Sequence, residues 1–432
     1  VEVSFRLIDK NTYGFIIGDY DKTIPLVIDP LLSSTFIGGF GTDIARAVVI
    51  DPVNGNVFVT GFTQGVATFA PGVIPGTAFV WRNNFPTQGQ TPLAPYNNGT
   101  NILYQGAYVG GPGGPGFLNP PPGGGPSDIV ICKLNPTLTT LIASTYLGGL
   151  GSDGAFGIAL DSQGNVFVCG FAGPGFPVLT DRPAVPNYGP PTAFDTSYNG
   201  PSVLGQQVNP NDGFVSKLSN SLTALLASTY IGGTAQGSLT ADALTGIVVD
   251  DSDNIFVCGF TDSDTFPSTG GPTYQGGASS VDYNFGNDAI VAKFNNNLSN
   301  RIPGLPDAFY YAGIFLGGTP GSVQGPNNAL IPGAGSDIAT AIAINNFDDQ
   351  DNIYITGTTT LGNPPFPTTG GAYDRSVGYD VIGTTVIVTS DAFICQFSND
   401  LRTLRASTYL GGNKGAELGY ALTLGAVLEG QP

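Results

Sequence analysis

Histidine and methionine are absent from this chain of 432 residues, tryptophan occurs once and cysteine four times. Without histidine, no Ser-His-Asp or Cys-His catalytic pair can form within one chain, and the commonest metal ligand is missing. No CxxC pair occurs, which argues against a closed zinc or iron–sulfur site. No acid stands apart from a repeat-wide set as half of a glycosidase pair. The expectation is a protein that is not an enzyme.

Charge is scarce as well. Charged residues make up 11% of the chain, against about 25% in an ordinary globular domain. There are 14 Lys and Arg against 32 Asp and Glu, a formal charge of −18, and the bases form no patch. Nucleic acid is therefore not an expected partner, because phosphate recognition relies on clustered cations. Divalent cations suit the balance better. No stretch of 18 uninterrupted apolar residues occurs, so no transmembrane segment is expected. The chain opens at Val1 without a charged-then-apolar leader and reads as a mature or trimmed product.

Glycine, by contrast, occurs 64 times and proline 34 times, beside 41% apolar residues that include 27 Phe and 18 Tyr. That mixture suits many short strands joined by turns, with enough apolar side chains for a large core.

One short phrase returns five times: Ser34-Thr-Phe-Ile-Gly-Gly39, Ser144-Thr-Tyr-Leu-Gly-Gly149, Ser228-Thr-Tyr-Ile-Gly-Gly233, a weaker Ala312-Gly-Ile-Phe-Leu-Gly-Gly318 with one residue inserted, and Ser407-Thr-Tyr-Leu-Gly-Gly412. After each Gly-Gly come a variable turn, an acid and an apolar run. The runs are flanked by polar residues eight apart: Asp43 and Asp51, Asp153 and Asp161, Asp242 and Asp250, Asp337 and Asn345. A polar turn then leads to a second apolar run, such as Asn165-Val-Phe-Val-Cys-Gly170, which is a strong hairpin signal. A third run begins at Asp128, Asp212, Asp288 or Asp391, and the phrase itself is the fourth strand. Inserts of varying length separate the second and third strands, spanning 63–127, 172–211, 261–287 and 358–390.

The pattern predicts an all-β fold, a β-propeller of four-stranded antiparallel blades iterated along residues 31–425. Counting back eight from Gly425 reaches Glu417, so Ala421-Leu-Thr-Leu424 reads as the first strand of a fifth unit that then stops. The expectation is five blades, one of them composite. Residues 1–30 supply its missing strands or pair with a neighbour, and 426–432 form a tail.

The recurrent Ser-Thr-Tyr-Leu-Gly-Gly, the segment Gly157-Ile-Ala-Leu-Asp-Ser-Gln-Gly-Asn-Val-Phe-Val-Cys-Gly170 and Asp391-Ala-Phe-Ile-Cys395 resemble the SBBP family of bacterial and archaeal β-propeller repeats. Pro25-Leu-Val-Ile-Asp-Pro30 resembles the end of the region that precedes such repeats in large secreted proteins. The resemblance implies an exported, surface-associated protein and carries over no catalytic residue. The family name suggests seven blades, whereas this chain supplies at most five.

Candidate sites follow from the same pattern. Asp43, Asp153, Asp242, Asp337 and Glu417 fit either a cation site or caps on backbone N–H groups where each first strand begins. The series Asp128, Asp212, Asp288 and Asp391 fits a structural role. Asp250, Asp251 and Asp253, echoed by Asp348, Asp349 and Asp351, have the density of a calcium loop without its closing Glu, so Ca²⁺ is the one candidate cofactor. The four cysteines allow three pairings, and their apolar flanks suit buried free thiols. Each Gly-Gly reads as a tight turn between blades. In the first insert Phe79, Trp81, Phe85 and Tyr96 are candidates for an interface or a glycan-binding rim, and Asn98-Gly-Thr100 is a glycosylation sequon. Two functions fit: a structural subunit of a surface filament, sheath or layer that forms a homo-oligomer or homopolymer, and a monomeric adhesive or glycan-binding propeller.

Overall fold

The computed structural model describes residues 3–9, 12–21, 23, 33–39, 41–64, 66–69, 79–82, 127–149, 151–179, 193–199, 211–233, 242–263, 266–267, 287–299, 312–317, 321–324, 330–333, 335–345, 351–362, 365–382, 385–412 and 415–424. Two compact units divide the chain, Val1–Thr35 and Phe36–Pro432. In the first, β1 (Val3–Asp9) and β2 (Thr12–Ile17) form a two-stranded antiparallel sheet with Val3 opposite Ile17 and Phe5 opposite Phe15.

The second unit repeats one sheet four times. β3 (Asp43–Ile50) and β4 (Val57–Gln64) open the first sheet. A small pair follows, β5 (Val66–Phe69) with β6 (Phe79–Arg82), and then β7 (Ser127–Leu134) and β8 (Leu141–Leu147) complete it. The second sheet is β9 (Gly154–Leu160), β10 (Val166–Ala172), β11 (Asp212–Leu218) and β12 (Leu225–Ile231). The third is β13 (Ala243–Val249), β14 (Ile255–Thr261), β15 (Asp288–Phe294) and β16 (Ala312–Leu316). After the pair β17 (Gly321–Gln324) and β18 (Leu330–Gly333), the fourth sheet begins with β19 (Asp337–Asn345) and β20 (Asn352–Thr360). The pair β21 (Tyr379–Ile382) and β22 (Thr385–Val388) precedes its last strands, β23 (Ser390–Phe397) and β24 (Leu404–Leu410).

Every sheet is antiparallel, and its strands lie side by side in the order in which the chain makes them. This is the all-β repeat that the sequence pattern predicts. The register corrects one detail. Gly313 stands opposite Ala292 as Ser228 stands opposite Ser216, so the third sheet's phrase begins at Gly313 and contains no inserted residue.

Alternating side chains give each sheet two apolar faces, and neighbouring sheets share a core. Phe58, Ile129 and Ile131 of the first sheet pack with Ile158, Val166 and Val168 of the second. Phe167 and Val215 meet Ile247, Ile255 and Val257 of the third, and Phe256 and Val291 meet Ile342, Ile353 and Ile355 of the fourth. The four cysteines are buried free thiols. Burial pushes those of Cys132, Cys258 and Cys395 up to about 12.

Two local devices hold the repeat in register. The first strand of each sheet carries a bulge opposite the glycine of the second, and at Gly170 an added Cβ would stand 1.9 Å from the Gly154 carbonyl oxygen. Only glycine lets the backbones approach so closely. At the turn between third and fourth strands, Leu138, Leu222, Leu298 and Leu401 all adopt positive φ, between 52° and 59°. Three of them, Leu222, Leu298 and Leu401, are fully buried, so apolar burial offsets a conformation that leucine rarely adopts.

Candidate functional site

The chemistry of this chain gathers where one sheet meets the next. After each of the four sheets comes an acid whose backbone N–H donates to the residue before, or at the start of, that sheet's third strand. The bonds run from Asp153 to the Ser127 carbonyl, from Asp242 to Asn211, from Asp337 to Asn287 and from Glu417 to Ser390, at 2.6–2.8 Å. Glu417 thus occupies the position of a first-strand acid, as the eight-residue spacing predicts. The segment that follows it bonds along the fourth sheet, with Gly419 N–H donating to the Gly357 carbonyl and Thr340 Oγ1 donating to the Gly419 carbonyl.

The side chains of these acids account for the Gly-Gly phrase. The second glycine donates its N–H to the acid: Gly39 to Asp43 Oδ2 at 2.8 Å, Gly149 to Asp153 Oδ2 at 2.7 Å and Gly233 to Asp242 Oδ2 at 2.9 Å. The first glycine leaves room for carboxylates. A Cβ on Gly148 would stand 2.7 Å from Asp128 Oδ1 and 3.0 Å from Asp153 Oδ2, and one on Gly317 would stand 2.4 Å from Asp288 Oδ1 and 2.9 Å from Asp337 Oδ2. Gly232 and Gly411 are equally close to Asp212 and Asp391. None of these glycines has positive φ among the described residues. At the first glycine the nearby carboxyl groups exclude a side chain, and at Gly149 the backbone of Gly175 and Phe176, 2.4–2.5 Å from an added Cβ, does so.

Each junction thus sets a third-strand acid beside the first-strand acid of the next sheet, and the two series expected separately form pairs. Asp128, Asp153, Asp212, Asp242 and Asp337 are fully buried. Burial pushes Asp212, Asp242 and Asp288 up to about 7. It also holds Asp153 well above the carboxylate range and raises Asp391, with Asp128 and Glu417 adding to the respective shifts.

A second contact bridges the same junctions at the other end of the strands. Lys133 lies 5.1 Å from the Phe58 ring centre and donates to the backbone carbonyl and Oδ1 of Asn220 in the next sheet. Lys217 lies over Phe167, donates to Asn296 Oδ1 and pairs with Asp161 at 2.8 Å. Lys293 lies over Phe256 and reaches Asn399. The clasp ends with the fourth sheet, where Gln396 replaces the lysine, Tyr354 replaces the phenylalanine and Gln396 Nε2 donates to the Tyr354 hydroxyl. At the other end of the row Pro136 replaces the asparagine. Sequence reasoning passed over this contact, although its signal was there: a lysine inside three apolar strands and an asparagine in the turn one repeat later.

Among the calcium candidates, Asp250 holds its own turn. Asp250 Oδ1 accepts from the N–H groups of Ser252 and Asn254, and its Oδ2 accepts from the side chains of Asn254 and Asn399. Asp253 accepts from Ser162 N–H and Oγ in the neighbouring sheet. Asp251 is exposed, Asp351 has positive φ in the matching turn, and Asp348 and Asp349 lie outside the described residues. Among the described residues no three Asp, Glu, His or Cys side chains are grouped to hold a metal ion. Among the described residues no helix is long and apolar enough to cross a membrane.

Of the aromatic candidates in the first insert, Phe79 and Trp81 lie on β6, opposite Phe69 and Ala67 of β5. Phe85, Tyr96 and Asn98 lie outside the described residues. Other inserts dock through a Phe-Pro step. Phe176 and Phe366 are buried 4.6 Å and 4.4 Å from the rings of Phe214 and Phe393. The phrase tyrosines hold them, Tyr230 donating to the Gly173 carbonyl and Tyr409 to the Phe366 carbonyl.

The row of sheets ends in open faces. Val48 of β3 is 63% exposed, whereas its counterparts Ile158, Ile247 and Ile342 are 8%, 6% and 8% exposed beneath the preceding sheet. At the other end Ile394 is half-buried, where Ile131, Val215 and Val291 are fully buried. These features define a tandem array of four-stranded antiparallel sheets with repeated polar junctions. No protein-family model matches the chain, and no curated protein is significantly similar to it.

Proposed function

We propose that this protein is a non-enzymatic structural subunit of the cell exterior that assembles with copies of itself into a filament, sheath or surface layer. The observation that carries the reading is the exposure of Val48 where three equivalent side chains are buried. An apolar face built for a neighbouring sheet is stabilised when another surface covers it. The two ends also differ from the interior junctions in lacking the clasp, with Pro136 at one and Gln396 at the other. Direct stacking of the fourth sheet on a first sheet would miss the lysine–asparagine contact, which favours an intervening partner.

That partner, in this reading, is a fifth composite blade. Its first strand is 417–424 and its last is the phrase ending at Gly39, which leaves two central strands to be filled. The antiparallel pair β1–β2 has the number and lengths of strands required. Donation of this pair by a neighbouring copy joins subunits without a cofactor, and return within one chain closes a five-bladed propeller. Export and surface location rest on the resemblance to SBBP repeats and on the scarcity of basic residues.

The test is the mass of the full chain in solution as a function of concentration, compared with Val48→Asp. Concentration-dependent assemblies that the substitution abolishes, with the β-sheet spectrum retained, support the reading. A monomer at every concentration sinks it and turns attention to adhesive or glycan binding.

A further inference from the structure

We propose that the carboxyl groups of Asp212 and Asp242 share a proton, so that a neutral acid donating to a carboxylate joins the second sheet to the third. The hydrogen bonds within the pairs are unequal. Asp242 accepts from Gly233 N–H, Thr261 Oγ1 and Ser263 Oγ, and Asp153 accepts from the N–H groups of Gly149 and Gly173. These bonds favour the ionised form and oppose the effect of burial, which still raises both groups. Asp212 and Asp391 each accept one backbone N–H at Oδ2, from Asn199 and Gly378, while Oδ1 is buried with no partner. A buried carboxylate oxygen without a donor is costly, and a proton placed on it converts it into a donor beside an acceptor.

The surroundings leave a proton as the compensating charge. Asp195, Asp242 and the phenols of Tyr198 and Tyr230 face Asp212; Asp153 also acts on both phenols. Glu417, Asp374 and the Tyr409 phenol face Asp391. All are acids, and no lysine or arginine is among the groups that shift Asp212, Asp242 or Asp391. Two carboxylates in one dry site cannot both ionise cheaply, so the proton belongs to the pair.

The sign follows by linkage. These carboxyls bind protons more tightly in the folded chain than in the unfolded one. Their contribution is complete below the unfolded value of about 4 and declines as pH rises through about 7. The junctions are therefore strong in acid and weaken in mild alkali. This inference concerns contacts within the second unit and stands apart from self-assembly.

The experiment compares thermal midpoints of the full chain and of Asp212→Asn at about pH 5 and about pH 9. The amide keeps the acceptor for Asn199 and supplies a permanent donor to Asp242. We expect the wild-type midpoint to fall by several degrees across that interval and the variant to lose less. An equal drop in both, or a midpoint that Ca²⁺ raises and a chelator lowers, overturns the proposal. Should the variant not fold, infrared spectroscopy of the wild-type chain decides. A protonated-carboxyl band persisting at about pH 6, well above the ordinary aspartate value, supports shared protons, and its absence refutes them.

Discussion

Asp212 fills the space that a side chain on Gly232 would need: a Cβ on that glycine would stand 2.6 Å from Asp212 Cγ. The contact recurs at each junction, so the Gly-Gly phrase and the acids belong to one device. The second glycine donates its N–H to the first-strand acid at Gly39, Gly149 and Gly233, and the first glycine of each junction makes room for the third-strand acid.

Gly232→Ala is therefore expected to destabilise the fold by about 1–3 kcal/mol, as overpacking of a dense interior does. Gly371→Ala, where an added Cβ meets nothing within 4 Å, serves as the control and is expected to be near neutral. Urea unfolding of both variants measures the difference.

Gly170→Ala meets backbone instead of a side chain, since the Gly154 carbonyl oxygen would lie 1.9 Å from the new Cβ. A carbonyl inside a ladder cannot rotate away, so the loss should reach or exceed the upper end of the same range, about 3 kcal/mol. Exchange of the amide hydrogens of β9 and β10 with solvent should accelerate before that of β14 and β15. Uniform exchange across all four sheets would contradict a local bulge constraint.

Lys217→Met removes the cation that joins Asp161 to Asn296 while keeping a long apolar stem over Phe167. Asp161 is almost fully buried, so breaking its pair is expected to cost about 3 kcal/mol. Restoring charge with Lys217→Arg should recover part of the loss, and calorimetry of the three chains provides the comparison.

Val48→Asp and Ile247→Asp place the same charge at equivalent positions of two first strands. At Ile247 the carboxylate would be buried between sheets and should abolish folding. At Val48 the thermal midpoint of the isolated subunit should change little. Similar damage from both would mean that the first sheet's face is covered within the subunit.

Much of this was legible in the sequence because strand repeats announce themselves by period. The eight-residue spacing that set Asp153 against Asp161 also located Glu417, whose backbone bond to Ser390 matches those of the other first-strand acids. The junction chemistry was less legible. Asp128 and Asp153 lie in successive repeats, and only the packing of one sheet on the next pairs them. The left-handed Leu222 carries no local signal, because nothing in leucine's own side chain favours that conformation. The slip assigned at Ala312 came from matching letters; the ladder sets Gly313 in the place of Ser228. In the inserts the Phe-Pro steps at Phe176 and Phe366 carry the docking contacts.

The central claim is that the open faces of this subunit are covered by copies of itself. Electron cryo-microscopy of the material as isolated from cells tests it most directly, with the path of β1 and β2 traced in the map. The account predicts continuous assemblies in which the Val48 face is buried at a subunit contact and a two-stranded segment lies between 417–424 and the phrase ending at Gly39. Isolated propellers, each closed by its own β1–β2 pair and with no contact between copies, would contradict it.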